Sequence, residues 1–184
     1  MTAAFVIEQA RRVVTQGGVI AYPTEGVFGL GCLPDDPWAV QRILAIKNRR
    51  VSQGLILIGA RLSHLQPWID TDSELTTSAT APVTWIVPAS TAVPTWISGR
   101  HTGVAVRLVA HPTAAAICDA VGSAIVSTSA NASGRPPAKN TYVARRRFRD
   151  LVDYVVPGRC LENVGPSQIR DLRNGTTVRD STAR

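Results

Sequence analysis

The sequence predicts a single α/β domain built on one large mixed sheet, and three observations predict it. Helical and strand-like patterns alternate from end to end, the apolar runs are short, and no repeat or linker divides residues 1–184. With 184 residues, 45% hydrophobic and 18% charged, the chain can bury one sizeable core and is not composed like a disordered tail. The strands are unevenly spaced, which argues against a regular doubly wound pattern.

The elements follow in order. Residues 4–16 carry Phe5, Ile7, Ala10, Val13 and Val14 at helical spacing, and Gly17-Gly18 ends them. Residues 19–22 read as a strand delivering Pro23-Thr24-Glu25, with a glycine-rich turn over 26–31. Asp36-Pro37 reads as an N-cap with proline at the first helical position. The helix it starts has Trp38, Val40, Ile43, Leu44 and Ile46 on its apolar side and ends near Lys47-Asn48-Arg49-Arg50. Residues 55–58 are a continuous apolar run, as expected of a strand buried on both faces. A weak helical stretch over 61–69 precedes strands at 83–87 and 104–108, the second carrying Arg107. A helix over 112–121 and a strand at 124–126 lead into Ser127-Thr128-Ser129-Ala130-Asn131. Residues 133–140 form a Pro/Gly loop, Thr141 caps a helix through Phe148, and short strands lie at 154–156 and near Ile169 and Val178.

Charge narrows the function classes. The formal net charge is +7, and Lys47 and Lys139 are the only lysines, the other basic residues being arginine. The arginine fork suits carboxylates and phosphates, so the balance points to anionic partners such as nucleotides or RNA; genomic base composition is the plain alternative. Cys32, Cys118 and Cys160 are odd in number and widely spaced, against a disulfide framework or a paired-cysteine metal site. Glu8, Arg11 and Arg12 interrupt the first apolar stretch, so no signal peptide forms there. The longest uncharged run, 75–99, contains Pro82, Pro88 and Pro94 and is no membrane helix. A cytoplasmic protein with no membrane role is the expectation.

Neither common nucleotide cradle is present: there is no P-loop, and GVFGLG does not match GxGxxG. His64, His101 and His111 lie far apart, and no GxSxG elbow occurs. What remains are polar residues at strand ends, where open α/β sheets bind ligands. Thr24 and Glu25 are either a capped turn or part of a site. Lys47 and Arg49 either hold a polyphosphate or favour the helix dipole. Arg107, in an apolar strand, needs an anion, either an internal acid or a ligand carboxylate or phosphate. The small donors of 127–131 suit a phosphate or an amino acid, and equally an ordinary turn. Arg145-Arg146-Arg147-Phe148-Arg149 is a solvated helix face or an RNA-facing patch.

Taken together, Tyr22-Pro23-Thr24-Glu25 with Val27-Phe28-Gly29-Leu30-Gly31, Lys47-Asn48-Arg49, Ala105-Val106-Arg107 and Ser127-Thr128-Ser129-Ala130-Asn131 resemble the YrdC-like family. Its KxR…SxN signature stands as Lys47-x-Arg49 and Ser129-x-Asn131, and the similarity continues through Pro157-Gly158, Pro166-Ser167, Ile169-Arg170-Asp171 and Val178-Arg179. The short bacterial TsaC type, without the C-terminal regulatory domain of longer relatives, is the best match. Two places depart from the family: Ala79-Thr80-Ala81-Pro82 replaces a Trp-Pro-Gly-Pro turn, and Arg50 stands where many relatives carry proline.

The resemblance implies a twisted open sheet with flanking helices around a deep basic cavity. It implies a nucleotidyltransferase that makes threonylcarbamoyl-AMP and diphosphate from L-threonine, bicarbonate or CO2, and ATP with Mg2+, with no protein-ligated metal. The threonylcarbamoyl group then passes to adenosine 37 of tRNAs through a downstream complex of TsaD, TsaB and TsaE. By the same resemblance, Thr24, Arg107, Ser127 and Ser167 bind threonine. Lys47, Arg49, Ser129, Asn131 and Arg179 surround the nucleotide, Gly103 and Pro137 give it backbone contacts, and Lys47 and Arg49 are the catalytic pair. tRNA or double-stranded RNA binding is a further expectation. The competing class is an RNA-binding or ribosome-maturation module without catalysis, which needs no amino-acid pocket.

Overall fold

Alternation along the strands divides the core into two layers, one on each face of a nine-stranded sheet. The computed structural model describes residues 2–72, 74–132 and 134–179. In β1 (Ile20–Pro23) Ile20 and Tyr22 join one layer and Ala21 the other. In β3 (Ile56–Gly59) Ile58 and Leu57 divide in the same way, and in β6 (Ile125–Ser129) Ile125 and Val126. The first layer is covered by Val6, Ala10 and Val14 of α1 (Ala3–Thr15) and by Ala114, Ile117 and Cys118 of α5 (Pro112–Val121). Ala39, Val40, Ile43 and Leu44 of α2 (Pro37–Lys47) cover the second, with Ala144 and Phe148 of α6 (Thr141–Phe148). Single turns form α3 (Leu62–Leu65) and α4 (Thr95–Ser98).

The remaining strands are β2 (Phe28–Gly31), β4 (Val83–Pro88), β5 (Gly103–Leu108), β7 (Tyr154–Val155), β8 (Gln168–Asp171) and β9 (Thr177–Arg179). Their order across the sheet is β7-β1-β2-β6-β3-β5-β4-β8-β9. The pairs β1–β7, β3–β5 and β4–β8 are parallel and the others antiparallel, so the sheet is mixed and open. No helix among the described residues is long and apolar enough to cross a membrane.

Several sequence expectations change. The glycine-rich stretch is not a turn throughout: Phe28–Gly31 is a fully buried strand. Its glycines are packing devices, since a Cβ on Gly31 would stand 2.7 Å from both the Tyr22 ring and the Val126 carbonyl. The turn itself is 24–27, closed by Thr24, whose N–H and Oγ1 both donate to the Val27 carbonyl at 3.2 and 2.6 Å. Trp38, expected on the apolar side of α2, is 77% exposed. Asn140, not Thr141, caps α6, accepting from Val143 N at 2.9 Å, while Thr141 Oγ1 donates to the Gly158 carbonyl. The stretch 61–69 yields only α3 and a short 3-10 turn at Gln66–Trp68, which contains Pro67. Ser133, the first residue of the expected 133–140 loop, lies outside the described residues. At the altered turn, Ser78 Oγ accepts from Ala81 N at 3.2 Å, so a hydroxyl holds the backbone there.

Candidate active site

The end of α2 explains the spacing of Lys47 and Arg49. Asn48 takes the left-handed conformation (φ 48°, ψ 49°), its N–H bonds the Ala45 carbonyl at 3.0 Å, and Arg49 N–H bonds the Leu44 carbonyl at 2.9 Å. This pair of bonds is a Schellman cap, and asparagine is one of the few side chains that tolerates its left-handed position. The reversal leaves Lys47 on the last helical turn and brings Arg49 back beside it. Arg49 is then fixed by carbonyls alone: Nε and Nη2 donate to Gly54 O at 3.1 and 2.8 Å, and Nη2 to Gln53 O at 3.2 Å.

Lys47 joins the two halves of the signature. Its Nζ lies 2.6 Å from Ser129 O, 3.2 Å from Ser129 Oγ, 3.0 Å from Asn131 O and 2.7 Å from Asn131 Oδ1. Ser129 Oγ also donates to Asn131 Oδ1 at 2.6 Å, and Asn131 Nδ2 donates to Arg135 O at 2.7 Å. Burial, and then the neighbouring Arg49, push the Lys47 ammonium down to about 8. The oxygens around Nζ act in the opposite sense, because only the donating form satisfies them, and Lys47 is charged at neutral pH. The loop beyond Asn131 returns through Pro137 to Ala138, whose N–H bonds Ala130 O and whose carbonyl accepts from Phe28 N.

Arg107 has an internal acid after all. Its Nη2 lies 3.5 Å from Oε2 of Glu25, which is completely buried. Glu25 Oε1 accepts from Ala110 N at 2.7 Å and His111 N at 3.3 Å, at the start of α5. Neither Glu25 Oε2 nor Arg107 Nε has a hydrogen-bond partner. The pair is close enough to offset charge but leaves hydrogen-bonding capacity on the guanidinium unused. Register places Ile58 opposite both Arg107 and Ile125, so Ser127 lies on the same sheet face two residues along β6. Gly29 opens the floor there: a Cβ would stand 3.2 Å from Ser127 Oγ and 3.3 Å from Tyr22 Oη.

Ser167 and Arg179 close the site from the other end of the sheet. The Ser167 hydroxyl shares a hydrogen bond of 2.8 Å with buried Thr84, and its carbonyl accepts from Arg179 Nη2 at 2.9 Å. The segment leading to Ser167 crosses the β1–β2 turn, with Leu161 N bonded to Glu25 O, and Gly26 backed so closely on the Gly165 carbonyl that no Cβ fits between them. Burial and then Arg179 lower the Arg49 value, while burial and then Arg107 lower that of Arg179. Each cation thus feels a neighbour: Lys47 feels Arg49, Arg49 feels Arg179, and Arg179 feels Arg107, with Lys47 and Arg107 themselves buried. Among the described residues no group of three or more His, Cys, Asp or Glu is arranged to hold a metal ion.

Lys47, Ser129 and Asn131 therefore meet directly, with Pro137 in the adjoining loop, while Arg49 is bonded to the Gln53 and Gly54 carbonyls and acts on Lys47 through its charge. Arg179 bonds the Ser167 carbonyl and feels Arg107, Thr24 adjoins Glu25 in the chain, and Ser127 shares a sheet face with Arg107. Gly103 is not tied to either group by a hydrogen bond; it starts β5 opposite Pro88, where a Cβ would stand 2.7 Å from Val87 O. Two roles escaped the sequence reading. Glu25 stands there as a capped-turn or site residue but not as the partner of Arg107, and Asn48 only as a spacer, although asparagine at a helix end is itself a signal for a left-handed cap.

The chain is similar to the threonylcarbamoyl-AMP synthase of Nitrosococcus oceani, 48% identical over 94% of this chain and 96% of that protein. It is also similar to the synthase of Xanthomonas axonopodis pv. citri, 43% identical over 98% and 100%. Among solved structures it matches P. abyssi Sua5 complexed with L-threonine, with a TM-score of 0.83 and 26% identity, covering 96% of this chain and 53% of the Sua5 chain. E. coli YciO superposes with a TM-score of 0.85 at 25% identity, over all of this chain and 92% of that one. The Sua5/YciO/YrdC family, described as telomere recombination, matches residues 12–181. A match of that length, beside relatives 43–48% identical over nearly the whole chain, leaves one assignment: the chain belongs to the Sua5/YciO/YrdC family.

Proposed function

We infer that the protein is a threonylcarbamoyl-AMP synthase, a nucleotidyltransferase that condenses L-threonine, bicarbonate or CO2, and ATP to threonylcarbamoyl-AMP and diphosphate. The product serves N6-threonylcarbamoyladenosine formation at position 37 of tRNAs, through a TsaD, TsaB and TsaE complex. The observation that carries this reading is a pair of differently held cations: Lys47, ringed by the neutral oxygens of Ser129 and Asn131, and Arg107, paired with Glu25 but with its Nε unused. The first suits a polyphosphate and the second an amino-acid carboxylate. A module that only binds RNA has no use for the Arg107 end, and the curated relatives are named as synthases.

In this reading Arg107 takes the threonine carboxylate on the donors that Glu25 leaves free. Thr24 Oγ1, its proton committed to Val27 O, presents lone pairs to the substrate, and Ser127 and Ser167 supply further hydroxyls. Threonine's amine adds CO2 to give a carbamate, a carbamate oxygen attacks the α-phosphorus, and diphosphate leaves. Negative charge spreads over phosphate oxygens as this happens, so fixed cations and the Mg2+ that accompanies ATP carry the stabilisation. In this reading Lys47, Arg49 and Arg179 take that role, with Ser129 and Asn131 held by Lys47. Gly103 and Pro137 complete the nucleotide contacts as backbone neighbours. Diphosphate release that requires threonine and bicarbonate together, with ATP and Mg2+, is the expected result of a coupled assay. Equal ATP turnover without threonine would refute the assignment.

A further inference from the structure

We propose that the exposed face of α6 is an RNA-binding surface, with Arg145, Arg146 and Arg149 on phosphates and Tyr142 stacked on an unpaired base. These four residues stand at i, i+3, i+4 and i+7, on one side of the helix. All are exposed, Tyr142 by 74%. With Asp150, Val152, Asp153 and Tyr154 they border a groove of about 550 Å3, into whose wall the Tyr154 hydroxyl is buried without a hydrogen-bond partner. The opposite side of α6 is already used: Ala144 and Phe148 enter the core, and Arg147 donates to Pro136 O at 2.6 Å.

The charge on this face is only partly offset within the chain: Arg149 meets Asp150, whereas Arg145 and Arg146 make no salt bridge among the described residues. α6 contains no acidic residue, so like charges sit at the spacings where they repel and destabilise a helix. The same chain shows the alternative in α1, where Glu8 pairs with Arg11 at 2.8 Å and Arg12 at 2.9 Å. Near α6, Asp153 is taken by Arg42 and Val19 N, and Asp150 meets only Arg149, at 3.4 Å with both side chains largely exposed. One cation would satisfy the helix C-terminus; three leave a surplus that an external polyanion offsets. Arginine beside an exposed tyrosine fits nucleic acid better than an acidic peptide, because every base offers a face for stacking. A membrane surface is a poorer fit, since the apolar side of α6 is buried in the core. The choice of RNA over DNA rests on the proposed role in tRNA modification.

The test measures binding of a fluorescent RNA stem-loop with an unpaired loop across a salt series, alongside diphosphate release. Changing Arg145, Arg146 and Arg149 together to Gln should lower the slope of log affinity against log salt by about two. Changing Tyr142 to Ala should weaken binding about tenfold with the slope unchanged. Both variants should keep the wild-type melting temperature and ATP- and threonine-dependent diphosphate release. An unchanged slope in the arginine variant overturns the proposal, as does equal binding of polyglutamate by the wild type, or failure of the wild type to bind the stem-loop at low salt. Tighter binding of a DNA stem-loop of the same sequence overturns the choice of RNA. Loss of diphosphate release in the wild type would instead overturn the enzymatic reading, and the two results are separable because RNA binding is scored without substrates.

Discussion

Replacing Glu25 by Gln isolates what holds Arg107. Glu25 is completely buried, the Arg107 side chain is 10% exposed, and 3.5 Å separates Nη2 from Oε2. Gln preserves the shape and the carbonyl that accepts from Ala110 N, but it turns an NH2 group toward a guanidinium. Breaking a buried ion pair from one side costs about 3–5 kcal/mol, and the long separation argues for about 3. In a chain of this size each kcal/mol moves the melting temperature by about 2–4 °C, so a fall of about 6–12 °C is expected. L-threonine should restore part of it, because its carboxylate becomes the anion that Arg107 lacks, and threonine should stabilise the variant more than the wild type. Thermal melts with and without threonine, and with ATP as the comparison ligand, read this directly. A variant that melts with the wild type and gains no more from threonine would refute both the pairing and the placement of the carboxylate.

Three further outcomes follow from the same geometry. Because Lys47 is held down to about 8 in the free protein and phosphate favours its charged form, ATP binding should take up a proton and weaken as pH rises above 8. Calorimetry in buffers of different ionisation enthalpy should detect that uptake, and Lys47→Met should abolish it. Asn48→Val forces a β-branched residue into the left-handed cap at a cost of about 1–2 kcal/mol and should cut turnover by moving Arg49, whereas Asn48→Gly should be silent in melts and rates. Arg107→Lys, which keeps charge but loses the fork, should raise the threonine requirement far more than the ATP requirement in steady-state kinetics.

What could be read from the sequence was local. Apolar periodicity located α1, α2 and α5, and a continuous apolar run located β3, because those signals need only neighbours in the chain. Arg107 was legible as a charge in need of an anion, but the anion lies 82 residues earlier in the chain, at Glu25, by a pairing that only the sheet register creates. β2 was misread because its glycines answer to a tyrosine ring on the neighbouring strand and not to a turn. The four oxygens around Lys47 belong to Ser129 and Asn131. The KxR…SxN spacing encodes that contact, yet nothing in either half alone requires the other. Trp38 shows the opposite failure, since helical spacing cannot say where the edge of an apolar face lies.

The choice of partners around the cations explains how one site can serve two substrates of different charge. Elsewhere the chain neutralises arginines with carboxylates: Arg42 with Asp153, Arg61 with Asp119 and Arg173 with Asp171. Lys47, Arg49 and Arg179 are held instead by carbonyl, hydroxyl and amide oxygens. Neutral acceptors orient a cation without cancelling its field, so the field remains for a polyphosphate. Arg107 alone has a carboxylate, and it faces the end proposed for threonine, a zwitterion with no net charge. A bare guanidinium there would attract phosphate as strongly as Arg49 does, and ATP would compete for the amino-acid pocket. Glu25 offsets that long-range attraction, while the unused Arg107 Nε keeps a short-range donor for one carboxylate. Charge therefore sorts the ligands at a distance, and hydrogen bonding identifies them on contact. On this argument Glu25→Gln should also turn ATP into a competitor of threonine, a kinetic signature that a purely structural role for Glu25 does not produce.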